Sequence, residues 1–156
     1  MFKKALTLLL TLTLVLSMSG CTELFGVLFF SYLVTKDDDR ADKDEIFEFV
    51  RENEEKLMQA IEAEDFSAFE NKGPIKEIYA DEDVVDFSCG SSGMSVSGCD
   101  VGFFYTPDND MTAHAWAPSC ASELKPSGNG FKSWDGGVIY YTEHICGNIY
   151  YYEISY

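Results

Sequence analysis

From residue 87 to the C-terminus the chain carries 13 aromatic residues and nine glycines but only seven acids and two bases. That pattern restricts what the chain can fold into more than any other feature. Val, Ile, Tyr and Phe suit a pleated surface, and short runs of them broken by Gly, Asn, Asp and Pro read as strands joined by turns. The runs predict strands near residues 75–79, 84–89, 101–106, 113–117, 131–134, 138–145 and 149–155. Turn signals at 90–93 (GSSG), 107–110 (PDND), 127–130 (SGNG) and 135–137 (DGG) separate them.

The preceding stretch is of another kind, with 19 acids and six bases between residues 37 and 86. Over residues 45–63 the apolar positions Ile46, Phe49, Val50, Leu57 and Ile61 recur at spacings of three, four and seven, which predicts one face of an amphipathic helix. Asp42 is the expected N-cap, Glu45 supplies an acid for the first turn, and Phe47, Met58 and Phe66 widen the apolar side. Glu48, Glu52, Glu55 and Glu62 form the solvated face, and Gly73-Pro74 ends the helical region. One helix followed by a meander of strands is an α+β fold, the helix covering one face of an antiparallel sheet.

The last two strands allow a finer expectation. If Gly147-Asn148 is a two-residue turn, His144 faces Tyr151 and Thr142 faces Glu153. Ile139, Tyr141, Ile145, Tyr150, Tyr152 and Ile154 would then meet the helix. Tyr140, His144, Tyr151 and Glu153 would lie on the other face, either as a ligand-facing surface or as a solvated one.

The first 21 residues read as an address. Lys3 and Lys4 precede an uncharged run from Ala5 to Met18 that has the length and flanks of a secretory signal. It stops at Met18-Ser19-Gly20-Cys21, which resembles the lipobox of bacterial lipoproteins, with Met18 where Leu is usual. On that resemblance, residues 1–20 are removed and Cys21 is lipidated; the alternative is an uncleaved signal anchor. The mature chain would hold nine bases against 27 acids, a formal charge of −18. Residues 24–34 (LFGVLFFSYLV) are too short to cross a bilayer, for which about 20 residues are needed. They read as an interfacial segment beside the lipid, as the first element of the domain, or as the second half of one broken anchor. Of these the interfacial reading suits Phe25, Phe29, Phe30 and Tyr32 best. The expected organisation is a signal peptide at 1–20, a lipidated Cys with an apolar segment and acidic linker at 21–43, and a single α+β domain at 44–156.

The formal charge of the whole chain, −16, repels phosphate and leaves no basic stripe for DNA or RNA. The sequences Val85-Asp86-Phe87-Ser88-Cys89-Gly90-Ser91-Ser92-Gly93, Gly102-Phe103-Phe104-Tyr105-Thr106-Pro107-Asp108-Asn109, Tyr140-Tyr141-Thr142-Glu143 and Asn148-Ile149-Tyr150-Tyr151-Tyr152-Glu153 resemble a group of uncharacterised small lipoproteins of Gram-positive bacteria. The resemblance runs from about Ile46 to the C-terminus. It implies an envelope location and this architecture, and it supplies no catalytic residue.

Besides Cys21, the chain has Cys89, Cys99, Cys120 and Cys146. An even count in an exported domain points to two disulfides, Cys89 with Cys99 and Cys120 with Cys146 among three possible connectivities; free buried thiols are the other reading. No Cys-x-x-Cys pair favours zinc or redox chemistry, and no metal or cofactor is expected. His114 and His144 are the only histidines, and either could in principle act as a general base, though neither has a companion at diagnostic spacing. His144 beside Glu153 could form an acid/base pair or a plain cross-strand contact. Asp108-Asn109-Asp110 lacks the rest of a calcium loop and reads as a turn. The sequence therefore points to a lipid-anchored envelope module on the outer face of the membrane that binds an extracellular ligand or protein rather than transforming it. A small envelope hydrolase, and a protective or inhibitory surface protein presenting residues 90–98, are the alternatives.

Overall fold

In the computed structural model, residues 38–94, 97–114 and 123–156 are described. The described residues form one helix, α1 (Lys43–Ala63), and seven strands: β1 (Glu77–Ala80), β2 (Val85–Met94), β3 (Ser97–Tyr105), β4 (Lys125–Ser127), β5 (Gly130–Asp135), β6 (Val138–Cys146) and β7 (Ile149–Ser155). All six pairings are antiparallel, in the order β1-β2-β3-β7-β6-β5-β4. This is the expected α+β architecture. Among the described residues no helix is long and apolar enough to cross a membrane.

α1 starts where Asp42 holds an extended backbone, although the Asp42 side chain makes no cap bond. Asp44 and Glu45 in the first turn favour the helix dipole instead. The helix stops ten residues before Gly73-Pro74, because Glu64 turns left-handed (φ +50°) and the Glu64 and Asp65 amides bond back to the Ile61 and Ala60 carbonyls. Ile46, Phe47, Val50, Leu57 and Ala60 are buried against the sheet, while Glu48, Glu52, Glu55 and Glu62 are exposed, as the spacing requires.

The strands lie close to their expected positions, with four differences. Residues 90–93 are not a loop: they continue β2 through a bulge between Ser88 and Ser91. Ala113 and His114 form a turn, and the rest of the expected 113–117 strand lies outside the described residues, as do the signal peptide, Cys21 and residues 24–34. β4 pairs with β5 across the Gly128-Asn129 turn and has no counterpart among the expected strands. The last hairpin turns at Gly147-Asn148 as expected, but a register shift between His144 and Cys146 sets His144 opposite Tyr150 and Thr142 opposite Tyr152. A bulge adds one residue to one strand, and one residue reverses every side chain beyond it.

Two apolar layers result. On the helix side Phe87, Phe103, Val101, Ile145, Ile149 and Tyr151 pack under α1, with the Phe87 and Phe103 rings stacked at 4.6 Å. On the opposite side Phe104, Tyr140, Tyr150, Tyr152 and Ile154 form a second buried cluster. The face expected to be half-polar is therefore covered.

The described cysteines are thiols. Cys89, Cys99 and Cys146 are free, and Cys120 lies outside the described residues. The expected Cys89–Cys99 bridge fails on register: Cys89 sits in the bulge level with Val101, whereas Cys99 is opposite Ser92. Two residues of offset, roughly 7 Å along a strand, add to the gap between strands and exceed disulfide reach.

The N-terminus of α1 is latched to β6. Lys43 Nζ bonds the Glu143 carboxylate and, at 3.3 Å, the Tyr141 hydroxyl, over the rings of Tyr141, Phe47 and Tyr151 at 4.9, 5.3 and 5.5 Å. Burial pushes the Glu143 carboxyl up, but Lys43 and Tyr141 outweigh it and hold Glu143 below the usual carboxylate range. Burial likewise opposes the charge on Lys43, and the bonds to Glu143 and Tyr141 leave its pKa raised. A lowered Glu143 contributes stability above the unfolded carboxyl value of about 4.3, lost as pH falls through the folded value; a raised Lys43 contributes below about 10.4, lost as pH rises through its folded value. Glu143→Gln is therefore expected to cost about 1–2 kcal/mol at neutral pH in urea unfolding, with the gap to the parent closing below about pH 4. A gap that stays constant across that range would show that the latch is not ionic.

Candidate functional site

Alternation along β2 points Phe87 toward the helix and Asp86 and Ser88 to the far side. There, across β1, β2, β3 and β7, lies an open cleft of about 410 Å³. Its lining holds four carboxylates (Asp39, Glu77, Asp86, Asp100), one lysine (Lys76), His114 and the phenols of Tyr79, Tyr152 and Tyr156.

The floor is a stack of rings around one carboxylate. His114 lies parallel to Tyr152 at 4.0 Å and to Phe104 at 5.2 Å, and its Nε2 is 3.4 Å from Asp86 Oδ2. The loop carrying His114 is held over the sheet: the Tyr150 hydroxyl donates to Asn109 Oδ1 at 2.7 Å, and Asn148 Nδ2 donates to the Pro107 carbonyl at 3.0 Å. Burial first, and the adjacent Asp86 carboxylate next, push the Tyr152 phenol far above its ordinary value, so it stays a neutral donor. Asp86 Oδ1 and His114 Nδ1 are buried with no hydrogen-bond partner among the described residues. On the rim, the Tyr156 hydroxyl donates to Asp100 at 2.7 Å; burial and then Asp100 raise its pKa to about 12. The Tyr79 hydroxyl bonds Glu77.

The surface expected from Tyr140, His144, Tyr151 and Glu153 does not form. Tyr151 and Glu153 face the helix side, where Tyr151 is buried and bonds Glu153 at 3.4 Å. Tyr140 is buried in the opposite layer. His144 is exposed, with its ring nitrogen 2.8 Å from the Gly147 carbonyl, and it faces Tyr150 rather than Glu153. Trp134 is 68% exposed on β5, and Trp116 lies outside the described residues. Residues 91–94 pair with residues 97–100 as the end of a hairpin, and residues 95–96 lie outside the described residues. Of the described sequence candidates, His114 and, from the stretch 90–98, Gly90 and Ser91 line the cleft. The partner of His114, Asp86, was hidden by a separation of 28 positions and by a loop between strands.

Among the described residues no group of three or more His, Cys, Asp or Glu is arranged to hold a metal. The arrangement offers hydrogen-bond acceptors and negative potential to a ligand that donates. As a relay it is poorly disposed: one nitrogen of His114 meets Asp86 and the other is buried, leaving neither aimed at a substrate. Comparisons with protein-family models, with curated proteins and with solved structures find no match to this chain.

Gly102 ties this floor to the sheet. A Cβ there would lie 2.4 Å from the Phe87 carbonyl oxygen and 2.7 Å from the Tyr152 hydroxyl. Gly102→Ala is expected to destabilise the domain by about 1–3 kcal/mol and to displace Tyr152 from His114. A thermal melt reads the first effect and the His114 ring-proton shifts the second; unchanged shifts would mean that Tyr152 does not depend on this glycine.

Proposed function

We propose that this protein is a lipid-anchored module of the cell envelope whose cleft binds a small cationic, hydrogen-bond-donating ligand such as an organic amine. The observation that carries this reading is the composition of the cleft: four carboxylates against one lysine, around Asp86, whose buried Oδ1 has no hydrogen-bond partner among the described residues. Carboxylates in a concave surface with low-dielectric walls concentrate cations, and aromatic faces add to their hold. The lipobox at Met18-Ser19-Gly20-Cys21, the secretory run before it and the resemblance to small Gram-positive lipoproteins support the location.

A hydrolase is the second reading, favoured by the 3.4 Å approach of His114 to Asp86. The buried Nδ1 weighs against it, because a general base needs its second nitrogen free toward the nucleophile.

Titration of the chain with 1,4-diaminobutane, followed by amide chemical shifts, tests the binding reading. Shifts are expected at Asp86, Asp100 and His114, and Asp86→Asn is expected to weaken binding by about tenfold, equivalent to about 1.4 kcal/mol. Shifts spread instead over the acidic face of α1 would mean unspecific ion pairing and end the proposal. The location is tested by the intact mass of protein extracted from membranes: loss of residues 1–20 and a diacylglyceryl group on Cys21 are expected, and an unmodified Met1 chain would refute it.

A further inference from the structure

β2 is ten residues long, yet β1 pairs only with its stretch from Val85 to Ser88. Beyond Ser88 the same edge is taken by the residues that precede α1. The Ala41 amide donates to the Cys89 carbonyl at 3.0 Å, and the Ser91 amide donates to Asp39 Oδ1 at 3.0 Å. Between these bonds Gly90 sits at φ +109°, and a Cβ on it would lie 2.4 Å from the Asp39 carbonyl oxygen. Two backbones touch there, which a side chain at position 90 would prevent. Arg40, held by Asp38 through two contacts of 2.8 Å, reaches the Cys99 thiol of β3.

This attachment is thin compared with the sheet beneath it. Asp38, Asp39 and Arg40 are exposed and Ala41 only half-buried, whereas Phe103 and Tyr151 in the central strands are 0% and 2% exposed. A segment fixed by a few hydrogen bonds, with little apolar surface covered, opens at a lower free energy than the strands it rests on. Asp39 also forms part of the wall of the acidic cleft.

We propose that residues 38–41 are a strap that docks on and lifts off the β2 edge as a unit while the domain stays folded, making and unmaking the Asp39 wall of the cleft. The bulge between Ser88 and Ser91 is its seat. Docked, the strap covers the edge of β2 that β1 leaves open. Lifted, it frees the Ser91 amide and the Cys89 carbonyl to water and widens the cleft on that side. A ligand that touches Asp39 favours the docked state, and by linkage the docked state raises its affinity. The strap goes beyond the binding reading and does not depend on what the cleft holds.

Amide hydrogen exchange on the full chain in detergent micelles, without ligand, tests it. The Ala41 and Ser91 amides are expected to exchange together and at least 100-fold faster than the β3 and β7 amides around Phe103 and Tyr151. Gly90→Ala is expected to speed exchange at Ala41 by a further tenfold or more and leave β3 and β7 unchanged. Asp39→Ala, which alters only an exposed side chain, is expected to do the same at both amides and serves where Gly90→Ala fails to fold. Exchange of Ala41 and Ser91 at the rate of the central strands would overturn the strap, as would an Asp39→Ala chain in which neither amide changes. Failure of diaminobutane to bind would leave these results standing and would count only against the cleft's ligand.

Discussion

The pairing of β3 with β7 joins residues about 50 positions apart, and both faces of the domain depend on its register. Gly102 opposite Tyr152, Phe103 opposite Tyr151 and Phe104 opposite Tyr150 set which side chains look toward α1 and which look away. A slip of β7 by one residue against β3 would send Tyr151 out of the helix-side core and bring Tyr150 into it while Phe103 stayed in place. Gly102 does more than fit: the absence of a Cβ lets the Tyr152 phenol lie over β3 and end beside Asp86 of β2. The fold and the cleft floor therefore share one constraint. Such a long-range pairing forms against loop-closure entropy, so the packing of Phe87, Phe103 and Tyr151 beneath α1 has to reward it.

The helix was legible because a period near 3.6 has only one interpretation when the opposite face is so acidic: Ile46, Val50 and Leu57 are buried and Glu48, Glu52 and Glu55 exposed. Strand positions were legible for the same kind of reason, since Gly-rich pairs such as Gly136-Gly137 and Gly147-Asn148 stop the runs. Facing was not. Ile149 to Tyr152 are buried on both sides of the sheet, so alternation carries no polarity signal there, and the bulge at His144 to Cys146 leaves no mark in the residue types. That single shift moved Tyr151 and Glu153 to the helix side and dissolved the expected ligand surface.

Gly90 illustrates the limit differently. A glycine in a Ser-rich stretch reads as a turn, but here it is a strand residue kept bare by the approach of Asp39, 51 positions earlier. Its reason lies in another segment, which local propensity cannot register. The Asp86–His114 contact is of the same type. Each residue is unremarkable in its own neighbourhood, and only the sheet order and the loop held by Asn109 and Asn148 bring them together.

The position of the cleft follows from where the cover on the outer face ends. Phe104, Tyr150 and Tyr152 are roofed by the turn that carries His114 and by Met111, and this roof is fixed to the β7 side of the sheet. Toward β2 the side chains on that face change from aromatic to short and polar, Asp86 and Ser88, and beyond them the Tyr79 ring of β1 is left exposed on the rim. Rings on one side, carboxylates on the other and the residues before α1 along the far edge then leave a concavity open to solvent. Burying Asp86 costs solvation, which the adjacent Tyr152 hydroxyl and the 3.4 Å approach of His114 offset. A cation arriving from solvent meets the carboxylates of Asp39, Glu77, Asp86 and Asp100 that line the cleft, which is the physical reason to look for a cationic hydrogen-bond donor rather than for an apolar or anionic ligand.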